Sequence, residues 1–198
     1  RGIETRNKIL EAAWTLFGEK GYFKTNPRDI AKHAGVATGS FYAYFNNKKE
    51  VAIELIRRFY KEATEKALTN IKLDIGDDIS DDHDSIRKLV LSVIQSLKES
   101  HTINPLLHKE ASALILLDDE VNKINNEEQK KVISYLIAMF QQYKKYIRVD
   151  DLETAASLLF RTTDDIIHRI MFSNEEINEQ KLLRELEDMI CSYLFING

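Results

Sequence analysis

Residues Thr25 to Glu50 read TNPRDIAKHAGVATGSFYAYFNNKKE. This stretch predicts two short helices joined by a Gly-centred turn, with a third helix starting directly behind them. Asn26, Pro27 and Asp29 have the form of a helix start. The Asn side chain can accept from the second or third backbone N–H, and Pro at the first helical position gives up a donor that would be unpaired there anyway. Ile30, Ala31 and Ala34 then fall on one helical face. Gly35 stands where the chain leaves that helix through a left-handed cap. Val36 resumes an apolar anchor, and Thr38 to Phe45 forms the second short helix, with Phe41 and Phe45 on its inner face.

Two helices this short need a third to bury a core, and the upstream residues supply it. From about Thr5 to Lys20, Ile9, Leu10, Ala13, Leu16 and Phe17 make an apolar stripe, with Gly18 and Gly21 flanking its end. Three helices with the last two tightly coupled make a helix-turn-helix unit, whose second member can lie in the major groove of DNA. Thr38, Gly39, Ser40 and Ala43 are short enough to let that helix approach base edges. Hydroxyls read either base type, and methyls can touch the thymine methyl group. Lys48 and Lys49 stand at a helix start, mildly unfavourable against the helix dipole, which favours a partner anion over a merely solvated pair.

The motif AGVATGSFYAYFNNKKEV resembles the signature of the tetracycline-repressor (TetR) family of bacterial transcription regulators, with its Gly after the first short helix, Gly-x-x-Tyr-x-Tyr-Phe in the second and a Lys just beyond. The strong resemblance covers roughly Thr5 to Leu55. It implies that Thr38, Gly39, Ser40 and Ala43 face base edges, that Tyr42, Tyr44 and Lys48 hold phosphates, and that Arg28 and Thr25 reach the DNA from the neighbouring helix. For Tyr42 and Tyr44 the alternative is a packing ring with a wet hydroxyl. Position 37 departs from the family pattern: it is Ala where Ser or Thr usually caps the recognition helix. Either Thr38 takes over the capping, which puts its base contact in doubt, or the helix starts less firmly.

The 198 residues carry a net charge of −4, which alone argues against a nucleic-acid binder. Its distribution argues the other way: residues 1–66 carry +5 and the remainder −9, a basic head on an acidic body. The chain is 43% hydrophobic with 7 Gly and 2 Pro, enough for a sizeable core built from helices. A lone cysteine, Cys191, excludes an intrachain disulfide and fits a reducing cytoplasm. No apolar run approaches the roughly 20 residues of a membrane span, and no secretory signal pattern is present. The chain begins at Arg1 without Met, so a few residues are expected ahead of it; basic ones would add phosphate contacts.

Behind the head, Asn47 and Glu50 resemble a capping box opening a long helix from Lys48 to about Leu73. Ile75 to His83 reads as an acidic loop. Asp84 caps a helix to about His101, Asn104-Pro105 repeats the Asn-Pro start for Leu106 to Leu117, and Asp118 and Asp119 begin a helix to about Tyr146. Asp150 or Asp151 caps Leu152 to Phe172, and Asn178 starts the last helix, ending near Phe195. The expected fold is all-α with about nine helices. A DNA-binding domain over 1–47 is followed by an effector-binding and dimerisation domain over 48–198.

Wide apolar stripes mark the last two helices: Ala155, Leu158, Leu159, Thr162, Ile166 and Ile170 on one; Leu182, Leu183, Leu186, Met189, Ile190, Tyr193 and Leu194 on the other. Part of each belongs to a monomer core. A single helix-turn-helix usually works as a two-fold dimer, and the resemblance implies that these helices pair with their copies as a four-helix bundle. It also implies a small-molecule effector within the body, for which Phe59, His101, His108, Tyr135, Met139, Phe140, Tyr143 and His168 are the candidate lining. Arg161, Asp164, Asp165, His168 and Arg169 read as a polar pocket wall, an interface ion-pair set or an exposed face.

Enzyme readings are weak. His83 among Asp81, Asp82 and Asp84 reads as a solvated loop rather than a metal site, His108 and Glu110 do not share a helix face, and Cys191 has no sequence-adjacent His. No Gly-rich phosphate loop or nucleophile elbow appears, and no cofactor or metal is expected. The favoured reading is a homodimeric repressor that binds a palindromic operator and is released by a small molecule. The alternative is a DNA-binding dimer whose body takes a protein partner, in an architectural or division-associated role.

Overall fold

The computed structural model describes residues 2–74 and 83–196, with side chains for 2–69 and 85–196. Among these residues there are nine α-helices: α1 (Gly2–Lys20), α2 (Pro27–His33), α3 (Thr38–Tyr42), α4 (Lys48–Asp74), α5 (His83–Ser100), α6 (Pro105–Ile115), α7 (Asp119–Gln142), α8 (Leu152–Phe172) and α9 (Glu179–Leu194), with a 3-10 turn over Lys144–Tyr146. The loop expected over Ile75 to His83 falls mostly on residues 75–82, outside those described.

Five helix starts are made by the side chains the sequence points to, whereas Asp84, expected to cap α5, lies inside it because that helix begins at His83. Asn26 accepts from the Asp29 N–H, Asn104 from that of Leu107, Asp118 from those of Glu120 and Val121, Asp151 from that of Thr154 and Asn178 from that of Lys181. Each satisfies a backbone donor that the first turn of a helix leaves over. Asn104 does so with a left-handed backbone (φ 46°), a conformation that Asn adopts more readily than most non-Gly residues. At α4 the expected box is displaced. Asn47 accepts from the Glu50 N–H, but the Glu50 carboxylate accepts from the N–H and side-chain amide of Asn46, one residue earlier. Gly18 lies in the last turn of α1, where a Cβ would come within 3.0 Å of the Asn104 side chain.

The chain divides into two compact units. The first comprises residues 1–62 and 103–126, so α6 and the start of α7 join the N-terminal helices. Its core holds Ile9, Leu10, Phe17, Ile30, Phe41, Ile56 and Phe59, all at most 1% exposed, together with Leu107 and Ala111 of α6. Arg6 of α1 forks onto the Glu54 carboxylate of α4 and lies 4.9 Å above the Phe45 ring. The second unit comprises 63–102 and 127–198. There α5, α7, α8 and α9 close on Ile86, Leu97, Leu136, Phe160, Ile167 and Leu194. Arg87 of α5 pairs with Glu187 and Asp188 of α9, and Lys98 with Glu179. The C-terminal end is pinned by an isolated antiparallel bridge between Ile147 and Phe195.

Candidate nucleic-acid interface and body cavity

The turn from α2 to α3 is fixed by backbone chemistry. Gly35 has φ 67°, its N–H donates to Lys32 O, and the Val36 N–H reaches back to Ala31 O at 3.0 Å. These are the paired bonds of a Schellman cap, which needs a left-handed residue at this place. Helix α3 then starts at Ala37 with no side-chain hydrogen bond to its first turn. Thr38 is the first helical residue, not the cap, so the capping role considered for it is not taken up. Supplying the missing oxygen through Ala37→Ser should stabilise the protein by about 1 kcal/mol, read from the midpoint of urea unfolding.

Helix α3 sorts its residues by face. Phe41, and Phe45 just beyond it, are buried, and their rings lie 5.9 Å apart. Thr38, Gly39, Tyr42 and Ala43 are exposed, Ser40 is half-buried, and Arg28 is exposed on α2. Gly39 is helical, and a Cβ built on it would meet nothing within 4 Å. The fold therefore has no use for a glycine there, although glycine weakens an exposed helix by about 1 kcal/mol relative to alanine. Tyr42 is 53% exposed with its ring edge on Phe41, whereas Tyr44 is half-buried against the core.

One expected DNA contact, Thr25, needs correcting, and a second, Lys48, is restricted in its reach. Thr25 is only 2% exposed, and its hydroxyl donates to Gly21 O at 2.7 Å; it closes the α1–α2 turn and has no surface to offer a phosphate. Lys48 is half-buried, its ammonium donating to Tyr22 O at 2.7 Å and lying 4.2 Å above the Tyr22 ring. Burial pushes its pKa down, against the pull of Glu110. A lysine has further N–H groups beyond the one used on Tyr22, so a phosphate contact is open to it only from this docked position.

The sequence did not announce what holds this turn. Glu110 of α6 accepts from the Tyr22 N–H, while Lys48 holds the carbonyl of the same residue. Gly21, at φ 85°, lets the carboxylate in: a Cβ there would stand 2.2 Å from Glu110 Oε1. Asn104 donates to Trp14 O, and Lys49 pairs with Asp118. The hydrogen bond from Lys49 holds the Asp118 carboxyl below the usual carboxylate range. That tie is complete at neutral pH and weakens as the pH falls through the acid range. No local pattern could have found Glu110, because its partner lies 88 residues away.

In the second unit an apolar cavity of about 50 Å³ opens between α5, α7, α8 and α9. Of the expected lining only Met139 and Phe140 take part. Phe59 and His108 belong to the core of the first unit, with their rings 4.8 Å apart. Tyr135 and Tyr143 are half-buried on α7 and just behind it, outside the lining. His101 is also outside it: its Nδ1 lies 2.8 Å from Leu97 O and its Nε2 3.3 Å from Asp164. His168 stacks edge-on to His101 at 4.8 Å, and burial lowers its pKa, opposed by Asp164. Arg169 pairs with Asp165 on the exposed face of α8. The other residues lining this cavity are aliphatic or aromatic, with Thr163, and come from α5, α7, α8, α9 and Phe195, which the sequence showed only as helix stripes.

The stripes on α8 and α9 also divide. Ala155, Leu159, Leu186, Ile190 and Leu194 are buried in the unit's own core, which removes them from any interface with a second copy. Leu158 and Met189 are 51% and 43% exposed. Thr162, Ile166, Ile170, Leu182, Leu183 and Tyr193 are half-buried.

Comparison with known proteins settles the family. Residues 9–55 match the model for bacterial regulatory proteins of the tetR family, and residues 83–194 match the tetracyclin repressor-like C-terminal domain. The chain belongs to the TetR family. A curated TetR-family relative, the HTH-type transcriptional regulator TtgR of Pseudomonas putida, is 27% identical over 196 residues, covering 94% of this chain and 88% of its own. A TetR-family regulator from Mesorhizobium loti shares the fold with a TM-score of 0.74 at 19% identity, over 99% of both chains. A transcriptional regulator from Saccharomonospora viridis, solved with choline, shares it at 0.72 and 19% identity, over 97% of this chain and 98% of that one. Among the described residues the all-α, nine-helix expectation holds, and the chain is a DNA-binding transcription regulator of the TetR family rather than an enzyme. Among the described residues no helix is long and apolar enough to cross a membrane.

Proposed function

We propose that this TetR-family chain is a cytoplasmic repressor that binds a palindromic operator as a homodimer and is released by a small-molecule effector. Residues 1–47 are the DNA-binding domain, and 48–198 hold the effector site and the dimer contacts. One observation carries the DNA-binding assignment: the exposed face of α3 is Thr38, Gly39, Tyr42 and Ala43, with a glycine in an open helical position where the fold itself gains nothing from one. Thr38, Gly39, Ser40 and Ala43 face bases in this reading, and Arg28, Tyr42, Tyr44 and Lys48 reach phosphates. The half-exposed residues of α8 and α9, centred on Leu158 and Met189, meet their copies in the dimer. The cavity between α5, α7, α8 and α9 favours a small ligand over a protein partner, and a regulator of the same fold has been solved with choline.

Gly39→Ala tests the assignment with effects of opposite sign. It should raise stability by about 0.5–1 kcal/mol, as for any exposed helical glycine, and weaken operator binding at least about tenfold through a methyl placed against the bases. Equal operator affinity in an electrophoretic shift assay would take α3 out of the groove. Lys48→Ala should weaken binding to all sequences alike and flatten the slope of log affinity against log salt by about one unit. An unchanged slope would mean that Lys48 serves only Tyr22.

A further inference from the structure

The walls of the cavity in the second unit state the chemistry of what can enter it. Val90, Val93 and Leu97 of α5, Leu136 and Phe140 of α7 and Thr163 of α8 face a space of about 50 Å³. The remaining lining residues are also aliphatic or aromatic, and Thr163, 3% exposed, is the sole hydroxyl among them. No charged side chain lines the space. Among the charges on the surrounding helices, Arg87 pairs with Glu187 and Asp188, and Lys98 with Glu179. We propose that the effector is an uncharged, largely apolar molecule of slender or single-ring shape, carrying at most one hydrogen-bonding group, which meets the Thr163 hydroxyl. This rests on the effector-responsive reading above and adds the ligand class to it.

The physical argument is one of desolvation. A carboxylate or quaternary ammonium entering this space loses its hydration and finds no opposite charge to replace it. An alkyl chain or aromatic ring loses only unfavourable contact with water. An apolar space of this kind stays dry, and an engineered protein cavity of about 150 Å³ takes benzene. The smaller volume here demands that a wall give way, and Met139, which lines it, has the flexible, polarizable side chain suited to that. A single alcohol or carbonyl on the ligand gains a partner at Thr163; a second polar group is left without one.

Four probes of similar length separate the possibilities when titrated by calorimetry into the full chain: toluene, 1-hexanol, hexanoate and hexyltrimethylammonium. Toluene and 1-hexanol should bind and raise the melting temperature, with the two charged probes at least about 100-fold weaker. Thr163→Val, which keeps the shape and removes the hydroxyl, should weaken 1-hexanol about tenfold and leave toluene unchanged. Val93→Phe should fill the space and remove both. Charged probes binding within about threefold of the neutral ones, or no binding by either neutral probe, overturns the proposal. Equal losses of toluene and 1-hexanol in Thr163→Val overturn the hydroxyl contact. Operator release is scored separately by DNA anisotropy. Neutral probes that bind without releasing DNA leave the ligand class standing and sink the effector reading; release by hexyltrimethylammonium does the reverse.

Discussion

Gly21→Ala should destabilise the protein by about 2–5 kcal/mol, read from the urea midpoint at constant m-value. Two causes combine. A non-glycine residue at φ 85° carries a left-handed penalty of about 1–2 kcal/mol. The new Cβ would also stand 2.2 Å from Glu110 Oε1, so the flexible carboxylate swings away and leaves the Tyr22 N–H without its acceptor, at about 1–3 kcal/mol. The two are separable: Glu110→Ala alone should show only the second loss, and Gly21→Ala in that background only the first. The double-mutant cycle is therefore non-additive, because both changes act on one hydrogen bond. A near-zero effect of Gly21→Ala would remove Glu110 from its place in the α1–α2 turn.

Leu158→Glu combined with Met189→Glu should convert the proposed dimer into a monomer, weakening association at least about 100-fold, since each carboxylate would be closed into an apolar contact without a partner. Both side chains are about half exposed in the single chain, so helicity and the unfolding midpoint of the monomer should change little. Sedimentation equilibrium decides it; an unchanged dimer at micromolar concentration moves the interface off this face. Truncation after Phe172 cannot serve as the test. It would remove Leu186, Ile190 and Leu194 from the core of the second unit, and the body would lose its packing along with any partner.

Where chemistry is local, the sequence is legible in this protein. The Asn-Pro starts, the caps at Asp118 and Asp151 and Gly35 each act within a few residues, and each stands where the pattern places it. Phe41 and Phe45 point inward, into the core of the first unit, as their spacing on one helical face predicts. What escaped was set by distant partners. Thr25 looks like a surface hydroxyl until the turn behind it brings Gly21 O to 2.7 Å. Glu110 looks like an ordinary helix-surface acid until α6 joins the first unit. On α8 and α9 an apolar arc wider than one contact shows that two surfaces must be covered, but not which residue serves which. Of the cavity only Met139 and Phe140 were legible, because the other residues that line it look in the sequence like ordinary core positions of α5, α7, α8 and α9.

Cys191 sits 1% exposed in α9, and burial pushes its thiol up to about 11. Only the thiolate attacks alkylating reagents, so at neutral pH the intact body should be almost inert toward iodoacetamide. Modification then becomes a clock for transient opening, with a built-in reporter that needs no engineered label. Labelling at the wild-type rate in the Leu158→Glu, Met189→Glu variant would show that its subunits part without loosening inside, and slower labelling under a bound probe would time how firmly that probe holds the body shut.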